Sequence, residues 1–200
     1  MERENFSPAY WHALEEARAH HARSKTYSGR LLRPHAAAIA EILRRRLCLS
    51  ILDYGCGKGG QYTWVSHDSK CGVPQGYTLE QFWGLMVRKF DPAWPPFEAF
   101  PETPADLVIC SHVLGSVPVV DLPAVIREVC RLANKAVYIA EKIGPVEKAV
   151  FSSAEAMPRG WNRADWEAAI KAAAVGDAEV WLATRERTAE GVQVTRGRIV

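Results

Sequence analysis

Apolar and polar positions along the chain divide it into segments of two periods. Ser7 and Pro8 supply an N-cap and a first helical position, and Ala9 to Arg23 are mostly helix formers, so a first helix starts near Pro8. Tyr27-Ser28-Gly29 breaks it. Pro34 can open a second helix in which Ala36, Ile39, Ile42, Leu43 and Leu47 share one stripe. Leu49, Ile51 and Leu52 then read as a buried strand, and Leu85 to Asp91 as another. Between them a short helix near Gly60 to Val65 is interrupted by His67-Asp68-Ser69 and Gly72-Val73-Pro74 and re-entered at Leu79 to Trp83.

Further on, Ala105 to Leu114 covers a strand and its exit, and any strand near Phe97 to Phe100 is short or absent after the proline-rich 92–96 stretch. Asp121 can cap a helix whose inner face is Leu122, Val125, Ile126, Val129 and Leu132. Ala136 to Ala140 is the next strand. Asn162 or Arg163 begins a helix with Trp166, Ala169, Ile170 and Ala173 inward. Glu179 to Thr188 and Val192 to Val200, parted by Ala189-Glu190-Gly191, form an antiparallel hairpin.

Strands alternating with helices predict an α/β sheet. The chemistry is concentrated in Ile51-Leu52-Asp53-Tyr54-Gly55-Cys56-Gly57-Lys58-Gly59-Gly60, a strand ending in an acid, a glycine-rich turn and a helix start. Such a turn is expected to present main-chain N–H groups and a helix N-terminus to a ligand. A mononucleotide phosphate loop requires G-x-x-x-x-G-K-[ST]. Here Gly59 follows Lys58 and Leu52 stands where the first glycine would be, so that reading fails. The dinucleotide fingerprint G-x-G-x-x-G is matched literally by Gly55, Gly57 and Gly60, which leaves an NAD-dependent oxidoreductase as one alternative. Asp53, two residues before the first glycine, suits instead a ligand with a cationic end.

The segment D-x-G-x-G-x-G resembles the first motif of class I S-adenosylmethionine-dependent methyltransferases. The longer run Leu52 to Gly59 with Gln61-Tyr62 is similar to small phage and bacterial methyltransferase-like proteins. The strand exit carries a second likeness: Asp106, Val108, Val113, Leu114, Val117 and Pro118 match the family's pattern there, with Gly115-Ser116 in place of its usual Glu-His pair. The resemblance implies a Rossmann-like sheet of seven strands, mostly parallel, with an antiparallel strand between the fifth and sixth and helices on both faces. Residues 49–200 would form this core and residues 1–48 a helical lid, together one domain.

The resemblance also implies site roles. Asp53 would help hold the amino end of S-adenosyl-L-methionine, with the backbone of Gly55, Cys56, Gly57 and Gly59 against the ligand. Asp91, followed by Pro92, would accept the ribose hydroxyls, although it lies 38 positions after Asp53. About 20 residues usually separate such a turn from its ribose acid. Residues 66 to 82 then read as an insertion. Ser111, His112 and Val113 would complete the cofactor side, and His112 is the candidate catalytic base. Tyr27 and Gly29 are candidates for the pocket lining, and residues 145 to 160 for a loop over it. The missing Glu-His pair keeps open a cofactor-binding protein that acts as regulator or partner without transfer.

Composition narrows the remaining classes. The charge is +2, but residues 1–47 hold nine Lys or Arg against five Glu, leaving that segment at +4 and the rest at −2. Arg30, Arg33 and Arg44-Arg45-Arg46 could face an anionic substrate, or simply be solvated helix ends. No aromatic-basic interleaving points to nucleic acid, so a small-molecule acceptor is expected. No apolar run reaches the roughly 18 residues that cross a membrane. Charges recur from Met1 to Arg23 where a signal peptide would be apolar, and the cytoplasm is the expected compartment. Five cysteines without a C-x-x-C pair and six histidines without metal-ligand spacing suggest neither disulfides nor a metal. The oligomeric state is not legible.

Overall fold

The computed structural model describes residues 6–23, 29–144, 157–188 and 191–200. In chain order the elements are α1 (Pro8–Arg23), α2 (Ala36–Arg45), β1 (Ile51–Tyr54), α3 (Gly60–Thr63), α4 (Leu79–Trp83), β2 (Val87–Phe90) and β3 (Ala105–Ser111). They are followed by α5 (Leu122–Arg131), β4 (Ala133–Lys142), α6 (Arg163–Ala173), β5 (Glu179–Thr188) and β6 (Gly191–Arg198). Short 3-10 turns occupy Arg30–His35, Pro95–Phe97 and Leu114–Ser116.

The sheet runs β2-β1-β3-β4-β5-β6, with β1 to β5 parallel and β6 antiparallel to β5. Its central strands are near-continuous apolar runs because both faces are covered. Leu52, Val108, Val137 and Leu182 point to one face, packed under α5 and α6 through Val125, Ile126, Val129, Trp166 and Ile170, with Tyr10 and Leu14 of α1 joining the same core. Ile51, Leu107, Ile109, Tyr138 and Ala183 point to the other, under Ile39, Ile42 and Leu43 of α2 and Leu79 and Trp83 of α4. The period of two thus assigns each strand residue to one of two cores.

Six strands form the sheet among the described residues, where seven were expected. The antiparallel strand lies at the sheet edge and not between two others. Ala189 and Glu190 are all that separate β5 from β6, and so short a link lets β6 pair only with the strand just completed. The 97–100 stretch contributes no strand; its prolines lead into a 3-10 turn. Leu47 leaves the α2 stripe at φ 49° and is 76% exposed, because the helix has already ended at Arg45.

Helix starts follow the sequence closely, with one exchange of roles. Ser7 Oγ accepts the Tyr10 N–H, and Asn162 and Asp165 form a reciprocal capping box on α6. Asp121, expected to cap α5, makes no side-chain cap bond. Its carboxylate instead accepts the Ser7 N–H at 2.8 Å and the Ser7 hydroxyl at 2.6 Å, tying the start of α1 to the start of α5. The segment between α3 and α4 is held by buried Ser66, whose hydroxyl donates to the Val73 carbonyl at 2.9 Å. Among the described residues no helix is long and apolar enough to cross a membrane.

Candidate functional site

The carboxyl ends of β1, β2 and β3 meet where the glycine turn leaves the sheet. Gly55, Gly57 and Gly59 adopt φ values of 78°, 59° and 68°, a region open to glycine. At Gly55 the absence of a side chain is also a packing requirement: a Cβ there would lie 2.2 Å from Val113 Cγ2. Four of the turn's N–H groups are spent inside the protein. Gly55 and Cys56 both donate to the Phe90 carbonyl, Gly57 donates to Asp91 Oδ2 at 2.7 Å, and Gly59 donates to the Cys56 carbonyl. The loop is a folded-in support that brings bare backbone close to the space above it.

That space is a cavity of about 120 Å³. Gly55, Gly57, Asp91, Pro92, His112 and Val113 form its sheet side. Tyr10, Ala13, Leu14, Ala17 and His21 close it from α1. The cavity therefore joins six of the expected site residues. Asp53, Cys56, Gly59 and Ser111 are not in its lining. Cys56 is buried with its thiol against the Gly57 carbonyl, Gly59 is backed by Phe97 and Lys89, and the buried Ser111 hydroxyl has no partner. Burial pushes the Cys56 thiol pKa up, which keeps it protonated. Gly29, also expected near the pocket, sits at φ 70° against the Gln61 side chain, and Tyr27 and most of the 145–160 loop fall outside the described residues.

The two carboxylates are treated differently by the fold. Asp53 is 2% exposed, and its Oδ2 accepts both the Gln61 amide at 2.8 Å and the Tyr62 hydroxyl at 2.7 Å. Burial raises its pKa to about 6 against the lowering effect of those two bonds. Gln61 also donates to the Cys56 carbonyl, so Asp53 orients the turn through its neighbours. Asp91 holds the turn directly, one oxygen on the Gly57 N–H and the other on the Ala93 N–H at 2.8 Å. Each oxygen keeps a second lone pair, and the residue borders the cavity. Burial moves the Asp91 pKa up and the His21 pKa down, while the charge of each opposes the shift of the other.

His112 takes φ 58°, rare for a residue with a side chain, and is held there by its N–H on the Ala140 carbonyl at 2.7 Å. Neither ring nitrogen has a hydrogen-bond partner. Burial, followed by the charges of His35, Lys142 and Arg185, lowers its pKa to about 3, so the ring is neutral.

Three contributors escaped the sequence reading. His21 arrives from α1 with no spacing signal linking it to Asp91. Glu141 follows the apolar run Ala136 to Ala140, the same pattern as Asp53 and Asp91. It is 3% exposed, accepts the Leu114 N–H at 2.8 Å and also bonds the Val113 and Gly115 N–H groups, and burial raises its pKa to about 8. It thereby occupies the region beside Gly115-Ser116 with a carboxyl from another strand. His35, 0% exposed, pairs its Nδ1 with the Tyr138 hydroxyl at 2.8 Å.

The methyltransferase-domain family model matches residues 12–142, which span both β1 with its turn and the whole cavity side of the sheet. The chain is a member of that family. Comparison with curated proteins returns no match. Among solved structures this methyltransferase-domain protein is similar to a DhpI-SAH complex, at 16% identity over 95% of this chain and 80% of that one, with a TM-score of 0.31. The cofactor is S-adenosylmethionine. The residues present suit it: a buried carboxylate with free lone pairs at Asp91, side-chain-free backbone at Gly55 and Gly57, and apolar walls from Leu14, Ala93 and Val117.

Proposed function

We propose that this protein transfers the methyl group of S-adenosylmethionine to a small-molecule acceptor at the 120 Å³ cavity between α1 and the sheet. The observation that carries the reading is the convergence of Asp91, the glycine turn and an unpartnered His112 on one cavity at the carboxyl ends of parallel strands. Ligands of open α/β sheets bind at that end. The bound cofactor supplies a methyl group on a cationic sulfur, an already activated electrophile.

The chain's own residues supply position, desolvation and a proton acceptor. Asp91 accepts the hydrogen bonds of a vicinal diol, a geometry that a carboxylate with one free lone pair per oxygen can meet. Asp53 acts as a positioning residue by fixing Gln61 and Tyr62. Tyr10, Ala13 and Leu14 exclude water as a lid, which strengthens every charge interaction beneath them. His112, neutral, accepts the hydrogen bond of the acceptor's O–H or N–H. For a hydroxyl acceptor, the O–H proton would pass to the His112 imidazole as the methyl group is transferred. An alkylated hydroxyl is a strong acid, so an imidazole of low basicity suffices. Cysteines carried as free thiols suit a reducing cytoplasm.

Calorimetry with S-adenosylmethionine, S-adenosylhomocysteine and NAD tests the reading. The expected result is micromolar binding of the first two, weakened about tenfold or more by Asp91→Asn through the loss of charged acceptance. Binding of NAD alone would overturn it. Cofactor binding with no methyl transfer to any member of a metabolite extract would leave a binding protein in its place.

A further inference from the structure

The face of the sheet that α2 covers ends in a group of cations. Tyr138, Ala140 and Ala183 belong to that core. Register carries the same face past its edge. Ala140 pairs with Ala183 and Lys142 with Arg185, while Ala183 also faces Arg196 across the antiparallel pair. Side chains two apart on a strand share a face, so Lys142, Arg185 and Arg196 lie together beyond the core.

Among the described residues, nearby acids do not neutralise them. Glu141 points the other way and spends its carboxyl on the 113–115 backbone. Glu186, one position from Arg185, lies on the opposite face. Among the described residues no carboxylate forms an ion pair with any of the three cations. By contrast, Arg198, at the far end of β6, is paired with Glu179 at 2.8 Å.

A line of polar groups connects this edge to the cavity. Arg196 donates to the Pro34 carbonyl at 2.8 Å and also bonds the Tyr138 hydroxyl. Because a guanidinium only donates, the Tyr138 oxygen accepts from it and its O–H donates to His35 Nδ1. His35 then carries its proton on Nε2, a buried atom with no partner. The His35 ring lies 6.2 Å from that of His112, which borders the cavity with both nitrogens unpartnered. Cations without a carboxylate partner among the described residues thus stand at one end of this line, and the unpartnered His112 imidazole stands at the other.

We infer that the methyl acceptor is a small organic oxyanion, bearing a carboxylate or a phosphate-type group, bound by Arg185, Arg196 and Lys142 with its nucleophile directed at His112. The inference rests on the transfer reading above. Arginine matches both oxyanions through two-pronged hydrogen bonds, and a cluster of cations raises the local concentration of such ligands. The Arg196 bond to Pro34 also makes the 3-10 turn Arg30–His35 part of the site's frame.

The test titrates inorganic phosphate, benzoate and the neutral isostere benzamide into protein saturated with S-adenosylhomocysteine, at constant ionic strength. At least one of the two anions should bind saturably and more tightly than benzamide. Arg185→Gln and Lys142→Gln should each weaken that binding about fivefold or more, with Arg185→Lys intermediate. Cofactor affinity, titrated separately, should stay within about twofold, since neither residue touches the cofactor cavity. These two positions are used because Arg196 also supports the backbone. Anions binding no better than benzamide, or equally well to both Gln variants, would overturn the inference. So would a ten-nucleotide DNA strand that outcompetes both anions and is lost in the same variants, which would make the edge a polynucleotide surface. Intact cofactor binding with no anion site overturns this inference alone; failure to bind the cofactor overturns the transfer reading with it.

Discussion

Replacing Glu141 by Gln should abolish a decline in stability between pH 7 and pH 8. Glu141 is buried, faces the backbone N–H groups of residues 113–115, and has its pKa raised from 4.5 to about 8 chiefly by desolvation. A carboxyl raised in the folded state holds its proton there while the unfolded chain has already lost it. Its stabilising contribution is complete below pH 4.5 and disappears as the pH rises through 8. From the proton-binding difference, the loss over pH 7 to 8 is about 1 kcal/mol. His35 and His112, lowered to about 4 and 3, run the other way, losing stability as the pH falls below their unfolded value of 6.5. They are present in both proteins and cancel in the difference. Urea unfolding of wild type and Glu141→Gln at pH 7.0, 7.5 and 8.0 reads this difference directly, provided the slope against denaturant is unchanged. A gap between the two proteins that stays constant, or moves in favour of wild type as the pH rises, would refute the assignment of a protonated carboxyl. It would mean that the three N–H bonds outweigh burial.

Two further substitutions test the support of the cavity. Gly55→Ala introduces a Cβ at φ 78° and 2.2 Å from Val113 Cγ2, and should cost about 2 to 4 kcal/mol from backbone strain plus overpacking. Adding Val113→Ala should restore the steric part and leave the backbone part, as measured by unfolding of both proteins. Asp121→Ala removes both acceptors of Ser7 and should loosen α1 by roughly 2 kcal/mol, seen as faster amide exchange in α1 and weaker cofactor binding. Unchanged exchange in α1 would show that the apolar contacts of Tyr10 and Leu14 hold it unaided.

Local pattern settled much of this molecule before any coordinates. Apolar runs ending in acids located β1 and β2, the apolar stripe beginning at Asn162 or Arg163 located α6, and the D-x-G-x-G-x-G turn pointed to the methyltransferase family, because each depends on residues within a turn or a strand of one another. What depended on partners far apart in sequence was decided only by tertiary structure. The sheet order placed β6 at an edge, since pairing between strands is not written in either strand alone. Asp53 has an acid's expected position but spends Oδ2 on Gln61 and Tyr62, whose side chains reach it only because α3 turns back over the strand. Glu141 meets residues 113–115, His35 meets Tyr138, and α1 closes the cavity through contacts across roughly 30 to 100 positions, where no period in the chain records the encounter. Sequence therefore determined the elements and the glycine turn; packing decided which buried groups are left without partners.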